Sequence, residues 1–171
     1  MAGRTDVFDL GRLQLASGQG RQAAVRVELE ELAFGGQRYT SEARLTDALL
    51  DVTRTRSGYS LRLRFEARLE GPCMRCLEDA QTAIAIDARE VDQPGDGDDL
   101  SSPYVDGDEV DLRSWARDAL ALALPAQIVC RADCRGLCAV CGENLNEAAP
   151  DHAHERDPDP RFAKLSELRF D

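Results

Sequence analysis

Four stretches of this chain alternate apolar and polar residues with a period of two, the mark of strands with one buried face. Val25, Val27 and Leu29 alternate with Arg26, Glu28 and Glu30. Ala48, Leu50 and Val52 alternate with Asp47, Leu49 and Asp51, less cleanly because Leu49 is itself apolar. The longest run sets Leu61, Leu63, Phe65, Ala67 and Leu69 against Arg62, Arg64, Glu66, Arg68 and Glu70. In the fourth, Ile84, Ile86 and Ala88 alternate with Ala85, Asp87 and Arg89. Ser57-Gly58 reads as a hairpin turn between the second and third stretches, and Gly35-Gly36 as a turn after the first. These connections are too short for helical crossovers, so the strands form an antiparallel sheet.

The pattern then changes. Residues 92–109 are rich in Asp, Gly, Pro and Ser and nearly free of apolar side chains, which reads as a solvated acidic loop. After it, Leu112, Trp115, Ala116, Ala119, Leu120 and Ala123 recur at helical spacing, with Asp111 as N-cap and Pro125 as stop. Trp115, the single tryptophan, lies on the apolar face and belongs in the core. Near the end, Phe162, Leu165 and Leu168 share one face of a short helix that Pro160 could start. The expected fold class is α+β: an antiparallel sheet, open or barrel-like, with one covering helix. Residues 1–129 would hold the sheet and helix. Residues 130–171 would form a Cys-rich, zinc-stapled tail packed on the same domain.

Composition narrows the function. The chain has 171 residues, 43% of them hydrophobic, enough for one real core. Its first residues lack the apolar segment of a signal peptide, and no run is long enough to span a membrane. A cytoplasmic location is therefore expected. In a reducing compartment, six cysteines are metal ligands or redox thiols sooner than a disulfide framework. The net charge of −11 repels phosphate backbones, so nucleic-acid binding through bulk charge is disfavoured.

The cysteines carry the chemistry. Cys73 and Cys76 form one CxxC unit. Much later come Cys130, Cys134, Cys138 and Cys141, the last two forming a second unit, and then His152 and His154. In such a knuckle both sulfurs turn toward one point, and a small residue just after lets backbone amides face them. Gly142 suits that role in the second unit; Leu77 suits it less well in the first. Zinc takes four such ligands in a tetrahedron. One allocation has two ions, with Cys73, Cys76, Cys130 and Cys134 around one and Cys138, Cys141, His152 and His154 around the other. A second has one ion on Cys73, Cys76 and two of the later cysteines. A third is a single local site from Cys130 to Cys141. A site that uses the first knuckle is the favoured reading, with Zn²⁺ as a structural staple. Redox exchange is the rival, but it wants a helix N-terminus at the CxxC, and Cys73 instead follows a strand and Gly71-Pro72. No Gly-rich phosphate loop, His-Glu-x-x-His helix or nucleophile elbow is present, so no catalytic residue is assigned.

The order Cys-x-Arg-Cys-Leu, acidic loop, VDLRSWARDALALALP, C-x3-C-x-GLC-x-x-CG-x-NLN and DPRFAKL resembles the YceD-like family of bacterial and plastid proteins. The similarity runs through Cys73, Arg75, Cys76, Cys130, Cys134, Gly136, Cys138, Cys141 and Gly142. It implies a non-enzymatic role in large-subunit ribosomal RNA accumulation and ribosome biogenesis. Many relatives carry a Cys-x-Cys pair where this chain has His152 and His154, a replacement that keeps metal-binding chemistry. The implied partners are ribosomal RNA or a basic ribosomal protein, with no membrane and no small-molecule substrate. RNA contact would fall to Arg54, Arg56, Arg62, Arg64, Arg68 and Arg75, a basic stripe on the best hairpin, since Arg suits phosphate. A protein-interaction adaptor for a basic client and a thiol redox protein remain the alternatives.

Overall fold

The computed structural model describes residues 6–95, 100–154 and 161. A six-stranded antiparallel sheet is built from β2 (Gly20–Glu28), β3 (Leu32–Phe34), β4 (Gln37–Ser41), β5 (Leu45–Arg54), β6 (Tyr59–Pro72) and β7 (Asp79–Asp92). β6 is its spine. β5 and then β4 pair along one side of it, and β7 runs along the whole of the other. A smaller three-stranded sheet joins β1 (Val7–Asp9) to β9 (Glu109–Asp111) and β8 (Val105–Asp106).

The alternation works as expected. Along β6, Leu61, Leu63, Phe65, Ala67 and Leu69 are buried, and the residues between them face outward. The β5–β6 turn closes where Ser57-Gly58 placed it, with Arg54 opposite Tyr59. Phe34 faces Gln37 across Gly35 and Gly36, both at positive φ. Gly58 has a second constraint: a Cβ there would overlap the Asp92 carbonyl oxygen at the end of β7.

One helix, α1 (Leu112–Leu122), follows, and Asp111 caps it by accepting from the Ser114 amide at 3.0 Å. It ends three residues before Pro125. Trp115 is buried, with its ring 6.2 Å from that of Tyr104. The helix touches both β2 and β7, edge strands on opposite sides of β5 and β6. This corrects the barrel-like alternative. A barrel needs its first and last strands to hydrogen-bond. Here β2 and β7 do not pair, and α1 packs against both instead.

The described residues of the 92–109 stretch, 92–95 and 100–109, are also more ordered than their composition suggests. Asp92 and Ser102 are buried, the Asp92 carboxylate accepting from the Ser102 amide at 3.1 Å, and β8 lies within the stretch. The proposed C-terminal helix at Pro160 to Leu168 lies outside the described residues.

Two apolar clusters result. The larger fills the space between the sheet and α1. The smaller consists of Tyr39, Ala80, Ile128 and the side chains of Cys73, Cys76 and Cys134. Phe34 and Leu124 pack against both. Sulfur therefore sits at the centre of the second core.

Candidate metal centres

The first centre begins in the β6–β7 hairpin. Cys73 directly follows β6, and Cys76 lies in the tight turn that leads into β7. The Cys73 amide donates to the Glu78 carbonyl at 2.7 Å, and the Leu77 amide donates to the Cys73 carbonyl at 3.0 Å. The other two ligands arrive after α1, where the Met74 amide donates to the Ile128 carbonyl at 2.8 Å and holds that segment in place. The Sγ atoms of Cys73 and Cys134 are then 3.8 Å apart, and those of Cys76 and Cys130 are 3.6 Å apart. Zn–S bonds of about 2.3 Å in a tetrahedron require S···S edges of roughly 3.8 Å. The four sulfurs fit that spacing.

The second centre is local. Cys138, Cys141, His152 and His154 bring their ligand atoms within 4.8 Å of one another. The Cys141 sulfur lies 3.7 Å from Nε2 of His152 and 3.3 Å from Nε2 of His154, and the two imidazole nitrogens are 3.1 Å apart. Mixed Zn–S and Zn–N bonds give S···N edges near ~3.6 Å and N···N edges near ~3.3 Å. These donors match too. Among the described residues, the two groups of four correspond to the two-ion allocation, with each knuckle heading one group.

The knuckles are the same backbone device used twice. In the second, the Cys138 amide donates to the Glu143 carbonyl and the Gly142 amide to the Cys138 carbonyl, both at 2.8 Å. That is the pattern of Cys73 with Glu78 and Leu77. The fifth residue is left-handed in both, with φ of 78° at Gly142 and 65° at Leu77. Glycine reaches that conformation freely, whereas leucine there costs about 1 kcal/mol. Leu77 is also exposed, so little packing offsets the cost. Leu77→Gly should therefore raise the melting temperature by about 2–4 °C, a stabilisation of ~1 kcal/mol, with metal content unchanged. An unchanged or lower melting temperature would show that the leucine is not strained.

Surrounding groups complete both centres. Burial pushes the Cys73 thiol up, but backbone N–H donors from Cys76, Arg75 and Cys130 outweigh it and bring it down to about 6. Burial and the neighbouring thiols push Cys130 up to about 12. The Cys134 thiol is lowered, chiefly by the Asn146 side-chain amide, which donates to it at 3.5 Å. Hydrogen bonding from His152 and from the Cys141 and Val140 amides lowers Cys138 to about 6. His152 turns its other nitrogen, Nδ1, to the Glu143 carboxylate at 2.9 Å. Such a carboxylate fixes the tautomer that leaves Nε2 free as a ligand. Glu143 carries no sequence signal beyond standing next to the second knuckle; Asn146 closes the NLN segment quoted above, but sequence reasoning assigned neither a role at the centres.

The arginines divide. Arg75 is committed locally: its guanidinium donates to the Cys134 carbonyl at 3.0 Å and to Gln127 Oε1 at 3.0 and 3.1 Å. A divalent ion held by four thiolates stays net anionic, and a cation there is favourable. Arg62 makes a forked pair with Asp87, and Arg64 pairs with Asp51 at 2.8 Å. Arg54 lies 3.5 Å from Asp108 and Arg68 3.8 Å from Glu42. Arg56 is exposed in the β5–β6 turn. The expected stripe is therefore broken: Arg62, Arg64 and Arg68 share the outer face of β6 with carboxylates beside them, whereas Arg54 lies on the other face of the sheet with Leu50 and Val52, its guanidinium 4.4 Å from the centre of the Tyr59 ring.

The model of the family described as large ribosomal RNA subunit accumulation protein YceD matches residues 61–169, which hold every candidate metal ligand. This chain belongs to the YceD family. Its relatives include an uncharacterized protein of Mycobacterium tuberculosis, 32% identical over 163 residues, a match covering 87% of this chain and 77% of that one. A Mycobacterium bovis protein, also uncharacterized, matches to the same extent. The maize chloroplastic protein named large ribosomal RNA subunit accumulation protein YCED homolog 1 is 41% identical over 68 residues, covering 39% of this chain and 22% of that one. No solved structure matches. No helix among the described residues of this YceD family chain is long and apolar enough to cross a membrane.

Proposed function

We propose that this protein is a non-enzymatic, cytoplasmic factor in large-subunit ribosomal RNA accumulation, with two structural zinc ions. The observation that carries this reading is the pair of four-donor clusters inside a chain of the YceD family. Each cluster offers a closed set of four protein ligands. A closed set supplies folding energy rather than an open coordination position for a reaction. The first would bind Zn²⁺ through Cys73, Cys76, Cys130 and Cys134, the second through Cys138, Cys141, His152 and His154. What zinc supplies at both is cross-linking: the first fastens the segment after α1 to the β6–β7 hairpin, and the second shapes residues 138–154. The redox alternative is weaker, because both CxxC units lie in turns and neither opens a helix.

In a strain lacking the gene, the ratio of large- to small-subunit ribosomal RNA should fall. The wild-type gene should restore it, and the Cys73→Ser/Cys76→Ser double variant should not. An unchanged ratio in the deletion strain overturns the proposal.

A second reading concerns the partner. The net charge of −11, with Arg62 and Arg64 already paired to Asp87 and Asp51, favours contact with a basic protein over contact with phosphate. In that reading the chain is an adaptor for a basic ribosomal protein.

A further inference from the structure

β7 is fourteen residues long, and its register with β6 runs unbroken from Tyr59 opposite Asp92 to Pro72 opposite Asp79. No described strand pairs with its other side. The backbone hydrogen bonds of the described loops meet it only beyond its ends, at Glu78 and at Gln93. An edge of this kind presents a row of free N–H and C=O groups, and proteins normally blunt it with proline, lysine, a bulge or a short strand. β7 has no proline, lysine or bulge, and its charged residues lie at Asp79 and from Asp87 onward, leaving the stretch from Gln81 to Ile86 uncharged.

Beside this edge runs a groove of about 300 Å³. Ile86 and Ala88 of β7 line it on one side, Trp115, Ala119 and Leu122 of α1 on the other, and Tyr104 contributes to its wall. Leu122 stands over it with 89% of its surface exposed. A free strand edge flanked by a helix is the arrangement that takes up an extended peptide. Main-chain hydrogen bonds supply the affinity, and alternate side chains enter the groove.

We propose that the β7 edge and its groove dock an extended, basic peptide segment of a partner protein as an added strand. The proposal rests on the adaptor reading above and deepens it by naming the surface. Charge selects the occupant. β7 carries Asp79, Asp87, Glu90 and Asp92 against Arg89; Asp87 is paired with Arg62 and Asp92 is buried against Ser102, so the attraction rests on Asp79, Glu90 and the net charge of −11. A second copy paired antiparallel along the whole strand would set Asp79 opposite Asp92 at both ends, and like charges across a strand pair repel. RNA would meet the same repulsion from its phosphates. A lysine- or arginine-bearing strand meets attraction.

The test uses the zinc-loaded full chain and a capped peptide of about eight residues in which lysine and valine alternate. Amide hydrogen exchange should slow by at least about tenfold at alternate residues of β7 when the peptide saturates. The same peptide N-methylated at every second residue should lose binding. Leu122→Lys should weaken binding by about tenfold while leaving the melting temperature unchanged. Equal binding of the N-methylated peptide, or binding with β7 exchange unchanged, overturns the edge site but leaves the adaptor reading standing. Absence of peptide binding overturns both. Protection of the same amides by self-association, or by a large-subunit ribosomal RNA fragment instead of the peptide, overturns the choice of occupant.

Discussion

On the proposed two-zinc assignment, the wild type should bind two zinc ions per chain and the Cys73→Ser/Cys76→Ser double variant one, and the variant should melt at least about 10 °C lower. The size of this effect follows from where the sulfurs sit. Cys73 and Cys76 are 0% and 3% exposed, at the heart of the smaller core. Removing them takes away two ligands that tie the segment at Cys130 and Cys134 to the sheet. Structural zinc contributes on the order of 10 kcal/mol in small metal-folded units. A domain of this size has a net stability of only about 5–15 kcal/mol. The matching Cys138→Ser/Cys141→Ser variant should also hold one zinc but melt closer to the wild type, because its ligands are local and more exposed. Elemental analysis with calorimetry decides the matter. If the first double variant keeps two zinc ions, the assignment of Cys73 and Cys76 is wrong.

Trp115→Ala should destabilise the protein by about 3–5 kcal/mol, lowering the melting temperature by on the order of 10 °C. The indole is the largest fully buried side chain among the described residues, and it sits on the helix that packs against both β2 and β7. Its loss leaves a cavity between α1 and the sheet that rigid strands cannot collapse to fill. Zinc content should remain two per chain, since Trp115 belongs to the larger cluster and the first centre to the smaller one. A shift below about 3 °C would mean that the helix is only loosely docked. A simultaneous loss of zinc would mean that the two clusters fold as one unit through Phe34 and Leu124.

The parts of the fold that were legible in sequence are those where periodicity is long. Leu61 to Leu69 gave β6, and Leu112 to Leu120 with Asp111 gave α1. Strands of two or three residues, such as Val105–Asp106 and Leu32–Phe34, are too short to show a period at all. Whether the sheet closed was equally invisible, because closure depends on how α1 meets β2 and β7 and not on any single strand. At the candidate metal centres, the donor residues were legible because histidine is rare here and the cysteine spacing is regular. Their grouping was not, since Cys130 and Cys134 could pair with either knuckle until the fold placed Ile128 against Met74. Arg75 illustrates a further limit. In sequence it extends a basic stripe, while in space its guanidinium is occupied by Gln127 and the Cys134 carbonyl.

The separation of Cys76 from Cys130, 54 residues apart in the chain and 3.6 Å apart between sulfurs, has a consequence for how the protein comes into being. Drawing together the ends of so long a loop carries a closure entropy that local contacts do not offset. During synthesis, the ligands from Cys138 to His154 emerge together and can meet as a short cycle. The first centre must wait until β7 and α1 have been made and docked. Long-range contacts of this sort slow folding. On the proposed zinc assignment, chains made without zinc would lack this long-range contact and should be more open to proteolysis. The abundance of this protein should follow the zinc supply even with its gene expression held constant.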